Sequence, residues 1–278
     1  MTRTRVAAAL VMAPVAIAAI LLLPTPWMMI AAAAVFLAGL WEWLDMAEVD
    51  DSLAKWVLLI ANLGLMVAIV WASRSREGGT LVLYQVGTIV GIVWWALALL
   101  WLGRYEFGSN HQSWARVLKL AAATLAVVPA WCALTWLHAG DENGHRWLLT
   151  SLAAIWAADT GAYFAGRTFG RHKLAPRISP NKTVEGLLGG VVVGTLVALG
   201  FALYAGAERA ELWKVAIVAA ASILVSVIGD LFESLIKRHA GKKDSGTLIP
   251  GHGGVLDRID AVLAALPVFA LGKALLGL

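Results

Sequence analysis

The sequence predicts an all-α, polytopic integral membrane protein with about nine transmembrane helices. Of its 278 residues, 60% are hydrophobic and only 14% are charged, and the mean hydropathy is +0.77. A soluble domain carries about 25% charged residues. Long apolar runs recur along the chain, and each can cross a hydrocarbon layer of ~30 Å. Tryptophans next to run ends resemble an interfacial aromatic belt: Trp27, Trp56, Trp71, Trp101, Trp147 and Trp213.

The predicted helices follow one another with short connections that leave no room for a soluble domain. The first run predicts a transmembrane helix rather than a cleaved signal peptide, because a second run follows after only three residues. We divide one continuous membrane domain into N-terminal helices, residues 1–140, and a C-terminal region with the polar motifs, residues 141–278. The predicted helices cover residues 6–23, 27–46, 55–72, 80–102, 116–138, 147–166, 183–205, 211–233 and 258–277.

Basic residues are distributed unequally between the two sides of this arrangement. With nine helices, sixteen of the 22 Lys and Arg residues fall on the side of the N-terminus. Because positive residues favour the cytoplasmic side, we expect an inner-membrane protein whose N-terminus and polar loops are cytoplasmic. Its one cysteine, Cys132, lies in an apolar run, which predicts a buried thiol and excludes an intrachain disulfide.

The eighth predicted helix ends with polar residues on one face. Asp230, Glu233, Ser234 and Lys237 are spaced i, i+3, i+4 and i+7. A Glu233–Lys237 salt bridge explains part of this pattern without function. Asp230 closes a long apolar run, where a charge is costly, and this position favours a functional role.

The segment after this helix combines cations with glycines. Lys237, Arg238, Lys242 and Lys243 suit phosphate oxygens, although a basic loop also serves topology and lipid attraction. Asp244 and the following P-G-H-G-G turn fit neither of those simpler purposes. In that turn, His252, Gly253 and Gly254 could form part of an anion-binding backbone nest.

The ninth predicted helix opens with D-R-I-D, so that Asp257 and Asp260 share a face. Helix capping explains carboxylates there. Asp257 could also meet Asp230 across the loop, and two carboxylates with substrate phosphates are a usual Mg²⁺ site. We therefore predict that Asp230 and Asp257 bind metal.

Two upstream segments on the same predicted side extend the site. Asp159 is an ionisable residue inside the sixth predicted helix. Ser179 followed by Pro180 predicts a helix start, which would place Lys182 and Thr183 in a first turn, where an anion binds. The acidic stretch from Glu42 to Asp51 predicts only a solvated segment without chemistry.

Residues 234–260 resemble the signature of the CTP:phosphatidate cytidylyltransferase (CDP-diacylglycerol synthase) family. The matching elements are Ser234, Lys237-Arg238, Lys243-Asp244, Gly246, His252-Gly253-Gly254 and Asp257-Arg258-Ile259-Asp260. The segments 156–163 and 179–186 also resemble the family, so that the specific resemblance covers most of residues 150–260. The first 140 residues resemble it only as hydrophobic helices.

The resemblance implies a Mg²⁺-dependent reaction in which phosphatidate and CTP give CDP-diacylglycerol and diphosphate. The expected partners are CTP, phosphatidate and membrane lipid, with no nucleic acid; a second cation such as K⁺ and a homodimer are left open. We expect Asp230, Asp257, Lys237, Arg238 and Asp260 to be catalytic. The expected substrate-binding residues are Asp159, Ser179, Lys182, Thr183, Ser234, Lys243, Asp244, His252, Gly253, Gly254 and Arg258.

Two other functions are compatible with these patterns. One is a related lipid kinase or a cytidylyltransferase for another lipid, which only the lipid-facing helices would distinguish. The other is a transporter of an anionic solute, since intramembrane carboxylates and glycine-rich helix ends also occur there. Transport needs a site reachable from both faces, whereas these polar groups gather on one predicted side.

Overall fold

The computed structural model describes residues 2–74, 80–246, 248 and 253–278, with side chains from residue 12 onward. This part of the chain forms nine α-helices, a short 3₁₀ turn at Arg209–Glu211 and one β-hairpin. The helices are α1 Thr2–Leu22, α2 Thr25–Met46, α3 Ser52–Arg74, α4 Val82–Leu102, α5 Ser113–Ala139, α6 Gly144–Phe169, α7 Val184–Tyr204, α8 Leu212–His239 and α9 Leu256–Leu276. The strands are β1 Lys173–Ala175 and β2 Ser179–Thr183.

Seven helices of the described chain are long and apolar enough to cross a membrane: α2, α3, α4, α5, α7, α8 and α9. The protein is thus a helical membrane protein, while the expected count of about nine spans is not confirmed. In α1 the described apolar stretch, Met12–Leu22, is short. In α6, polar residues such as Arg146, Asp159 and Arg167 interrupt the apolar run.

The helices differ in how far they lie inside the bundle. In α5, 67% of the apolar 18-residue stretch is buried, and in α9 the buried share of the corresponding stretch is 56%. These two helices therefore form the interior of the bundle. Cys132 on α5 is buried, as predicted. In α3, only 11% of the apolar 18-residue stretch is buried. Since an apolar helix exposed all round needs an apolar solvent, α3 lies at the lipid-facing periphery.

An aromatic cluster fixes α8 against α2 and α4. Phe232 on α8 is fully buried, and its ring centroid lies 5.3 Å from that of Trp101, 5.5 Å from Trp94 and 6.1 Å from Trp43. Trp101 and Trp147 are therefore core residues (8% and 4% exposed), which corrects their expected place in an interfacial belt; Trp147 packs on Phe269. The site residues of α8 lie directly before and after this anchor.

Small residues bring α7 into close contact with α6. Gly190 and Gly194 are buried one turn apart on α7, where an added Cβ would lie 2.8 Å and 2.6 Å from the carbonyl oxygens of Ala158 and Ala154. The opposite face exposes apolar side chains such as Leu196. Backbone contact through small residues is a common way to pack membrane helices, and here it places Asp159 beside the start of α7.

The connection from α6 to α7 is a β-hairpin, which corrects the expected helix start at Ser179. Strand β2 pairs antiparallel with β1, with Lys173 opposite Thr183 and Ala175 opposite Ser179. Pro180 restricts its preceding residue to extended backbone, and Thr183 is the actual N-cap of α7. Its hydroxyl oxygen accepts a hydrogen bond from the amide of Gly186 at 3.1 Å. Lys182 is therefore a strand residue.

Candidate active site

Lys182 and Asp230 form the ion pair at the centre of the candidate site. The ammonium of Lys182, on β2, donates to Oδ2 of Asp230, on α8, and both side chains are partly buried. The Ser234 hydroxyl lies 3.5 Å from the other Asp230 oxygen, one turn further along α8. The hairpin thus places the Lys182 ammonium beside the carboxylate of Asp230, the residue for which the sequence favoured a functional role.

Gly229 brings the acidic residue of α9 to the same place. A Cβ at this position would lie 2.5 Å from the backbone carbonyl of Asp260 and 2.8 Å from the Ala264 Cβ, so that α8 and α9 touch here. Asp260 consequently interacts electrostatically with Asp230 and Lys182. Two of the predicted carboxylates meet because their helices cross at a glycine.

Lys237 joins a second pair of carboxylates. Its ammonium lies 2.5 Å from an oxygen of buried Glu233, one turn earlier, and 2.7 Å from Oδ1 of Asp257 on α9. The predicted salt bridge on α8 is therefore present, and it extends across to α9. Asp257 also accepts hydrogen bonds from the backbone amides of Gly254 at 2.9 Å and Ser245 at 3.1 Å.

A cavity of about 650 Å³ opens beside the Lys182–Asp230 pair, between α6, β2, α7 and α8. Its polar lining includes Asp159, Arg167, Asn181 and Ser226. Asp159 interacts electrostatically with Asp230, Lys182 and Arg258. The cavity is large enough for the polar part of a sizeable ligand.

Arg167 and Asn181 are lining residues that sequence reasoning missed. Arg167 follows Asp159 and Tyr163 at i+8 and i+4, and its guanidinium donates to the Tyr163 hydroxyl at 2.9 Å. The helical spacing that grouped Asp159 with Tyr163 therefore continues to Arg167 and could have identified it. Nothing in the sequence marks Asn181 except its neighbour Lys182.

The network holds more carboxyl groups than basic groups. It links five carboxyl groups to three basic side chains. Its members are Asp159, Asp230, Glu233, Asp257, Asp260, Lys182, Lys237 and Arg258. Carboxylate oxygens are hard donors that suit Mg²⁺. Within the described residues, however, no group of three or more acidic, His or Cys side chains is already arranged around one point, and Asp230 and Asp257 each bind a different lysine.

The other predicted residues have varied surroundings. Arg238 donates through Nε to the Ile178 carbonyl at 3.2 Å and so joins α8 to the hairpin. Lys243 and Asp244 are exposed, Thr183 lines the cavity, and Ser179 lies in β2. Gly253 adopts a φ of +82°, which favours glycine. His252 lies outside the described residues.

Glu42 corrects the expectation of a solvated acidic stretch. It is only 2% exposed, and its Oε2 accepts hydrogen bonds from the Leu256 amide at 2.8 Å and the Ser245 hydroxyl at 3.1 Å. These contacts join α2 to residues more than 200 positions away. Local sequence could not reveal them, because an acidic residue near a helix end is usually solvated.

Comparison with known proteins identifies the family of this chain. Residues 3–275 match the model of the cytidylyltransferase family. The chain belongs to this family. Its relatives include phosphatidate cytidylyltransferases of Pseudomonas aeruginosa, 36% identical over 97% of this chain and 96% of the relative, and of Haemophilus influenzae, 34% identical over 97% and 98%. A Bacillus subtilis phosphatidate cytidylyltransferase is 43% identical over 46% of this chain and 47% of its own length.

Proposed function

We propose that this protein transfers the cytidylyl group of CTP to phosphatidate. Together with the family membership, the observation that carries this proposal is the Lys182–Asp230 pair beside the 650 Å³ cavity. A phosphatidate oxygen attacks the α-phosphorus of CTP, and the bond between the α-phosphorus and the bridging oxygen breaks. The products are CDP-diacylglycerol and diphosphate, and the bond electrons leave with the diphosphate.

The main barrier to this reaction is the repulsion between two polyanions. The phosphate of phosphatidate is already anionic, so no strong base has to create the nucleophile. Lys182, Lys237 and Arg258 would offset the repulsion and stabilise charge that develops around the α-phosphate. In this proposal a phosphate oxygen replaces the Asp230 carboxylate as the partner of Lys182. Arg238, Lys243, Ser234 and Thr183 would hold further phosphate or nucleotide groups.

The excess of carboxyl groups over basic groups in the network supports a divalent cation at this site. Asp230 and Asp257 would hold Mg²⁺, with Asp260 in support, and the bound ion would act as a Lewis acid on phosphate oxygens. Lys182 and Lys237 would turn from these carboxylates to substrate phosphates.

The position of the cavity suits a lipid substrate. Exposed apolar side chains flank it on α6 and α7, namely Tyr163, Phe164 and Leu188. The acyl chains of phosphatidate can therefore stay in the bilayer while the headgroup reaches the polar residues. This arrangement favours an amphiphilic substrate over a small anionic solute.

The reaction can be tested with purified protein in mixed micelles. Radiolabelled CTP should give a lipid-extractable product and one diphosphate per product, and both should require added phosphatidate. Diacylglycerol or a polyprenol in place of phosphatidate should give no labelled product. Transfer of the γ-phosphate of CTP to a lipid alcohol would contradict the proposal and indicate a kinase.

The proposed metal ligands predict a specific response to carboxylate removal. Asp230→Asn and Asp257→Asn should each lower kcat by about 10²-fold or more and raise the Mg²⁺ concentration needed for half-maximal activity. Asp141→Asn is the matched control, since Asp141 pairs with Lys273 outside the network. Near-normal turnover of both variants at limiting Mg²⁺ would refute the assignment.

A further inference from the structure

Glu42 holds together the two described flanks of the segment that connects α8 to α9. One flank is residues 242–246 and the other is residues 253–256. Its Oε2 accepts from Ser245 on the first flank and from Leu256 on the second. A single buried oxygen atom of α2 therefore links the two flanks through hydrogen bonds. This acceptor comes from α2 and not from either flank.

Two glycines of the flanks fit closely around this carboxylate. A Cβ at Gly246 or at Gly254 would overlap the Glu42 carboxyl group. Small residues here let the backbone approach Glu42, so the glycines and the carboxylate fit as a unit. The Oε1 atom of Glu42 is buried as well and has no hydrogen-bond partner among the described residues.

The Glu42 contacts lead directly to Asp257. The Ser245 hydroxyl donates to Glu42, while the Ser245 amide donates to Asp257 at 3.1 Å. Leu256, whose amide donates to Glu42, precedes Asp257 in the chain. Gly254 touches Glu42 and donates its amide to Asp257 at 2.9 Å. Three neighbours of Asp257 are therefore set by one side chain of α2.

From these contacts we infer that Glu42 is a positioning residue that holds Asp257 and the two described flanks in their working geometry. It acts through Ser245, Gly254 and Leu256 rather than by touching substrate. The kinetic part of this inference rests on the proposed function, because it takes Asp257 as part of the reacting site. The tether itself does not depend on the reaction.

Limited proteolysis tests the tether without any activity measurement. Lys242 and Lys243 are exposed trypsin sites on the first flank, and Arg171 is an exposed site in the distant hairpin connection. Glu42→Ala should accelerate cleavage after Lys242 and Lys243 about tenfold through local opening, with cleavage after Arg171 unchanged. Asp50→Asn, an exposed carboxylate in the same acidic stretch, should leave both rates unchanged.

Conservative variants separate the hydrogen bonds from bulk packing. Glu42→Gln keeps the chain length and one acceptor oxygen, so its cleavage rate and kcat should stay within about threefold of wild type. Glu42→Asp is one methylene shorter and should resemble Glu42→Ala. A Gln variant as impaired as the Ala variant would contradict the hydrogen-bonded tether.

Steady-state kinetics test the consequence for Asp257. Glu42→Ala should lower kcat by at least about tenfold, since small misplacements of a reacting group are costly, while KM for CTP changes less than kcat. Ser245→Ala removes one donor and leaves Leu256 bound, so it should give intermediate effects even if Glu42→Ala folds poorly. Wild-type proteolysis and wild-type kcat in Ser245→Ala would overturn the inference. Absence of cytidylyl transfer by wild-type protein would instead refute the proposed function, with the proteolysis result still valid.

Discussion

At the residue scale, the Lys182–Asp230 pair compensates two partly buried charges and provides a cation that can bind a substrate phosphate. Both side chains are partly buried, at 24% and 32% exposure, so water screens their charges less than on an open surface. Removing either partner leaves the other charge poorly compensated. A substrate phosphate can replace the Asp230 carboxylate beside Lys182, so the pair can serve as a binding site for an anion.

A double-mutant cycle on this pair should show strong coupling. Lys182→Met and Asp230→Asn should each lower kcat/KM by about 10²-fold, and the double variant should be no worse than the poorer single variant. The Lys214–Glu211 pair, at the other end of α8 and of similar exposure (24% and 29%), is the matched control because neither residue lines the cavity. Its Lys214→Met and Glu211→Gln changes should leave kcat/KM nearly unchanged. Additive losses at Lys182 and Asp230 would mean that the two residues act separately.

At the element scale, the approach of α7 to α6 decides where the cavity opens. Gly190 meets the α6 backbone, whereas Gly200 on the same helix has no atom within 4 Å of an added Cβ. The two glycines therefore have different physical roles. Gly190 permits helix contact, and Gly200 contributes only backbone freedom in a lipid-facing turn.

Alanine substitutions at these two glycines should have opposite effects on stability. Gly190→Ala should destabilise the protein by about 1–3 kcal/mol, because overpacking forces the helices apart. Gly200→Ala should be neutral or stabilising by up to about 1 kcal/mol, because alanine is the better helix former. Thermal unfolding in detergent measures both. Equal unfolding temperatures for the two variants would show that the α6–α7 contact accommodates the added methyl group without loss of stability.

At the scale of the whole molecule, the two ends of the bundle differ in character. Glu42, the described flanks of the α8–α9 connection, the hairpin and the charged network all lie at one end. The pair between Asp141, after α5, and Lys273, near the end of α9, lies with the connections of the other end. The excess of Lys and Arg in the connections of the first end leads us to infer that this end is cytoplasmic.

Single-cysteine labelling tests this orientation. In a Cys132→Ser background, Glu142→Cys and Lys243→Cys place thiols at exposed positions of opposite ends. A membrane-impermeant maleimide should label Glu142→Cys in intact bacterial spheroplasts and Lys243→Cys only after permeabilisation. The reverse pattern would invert the inferred topology. Labelling of both variants before permeabilisation would contradict placement of the two sites on opposite sides.

The sequence by itself determined the features that depend on local composition and helical spacing. Hydrophobic runs indicated a helical membrane protein, and the i, i+3, i+4, i+7 pattern correctly grouped Asp230, Glu233, Ser234 and Lys237, because α8 continues to His239. The motif in residues 234–260 indicated the family that the comparison confirmed. These features depend on residues that are close together in the chain, so they can be read from the sequence alone.

Only the tertiary structure decided which distant residues meet. It placed Lys182 on a strand opposite Asp230, placed Trp101 in the core and showed that Glu42 is buried against Ser245 and Leu256. In each case the deciding contact joins helices or strands far apart in sequence. Periodicity reports which side of a helix is apolar, whereas the partner of a buried polar group depends on how the helices pack, and here that packing is set by close contacts at residues such as Gly190 and Gly229.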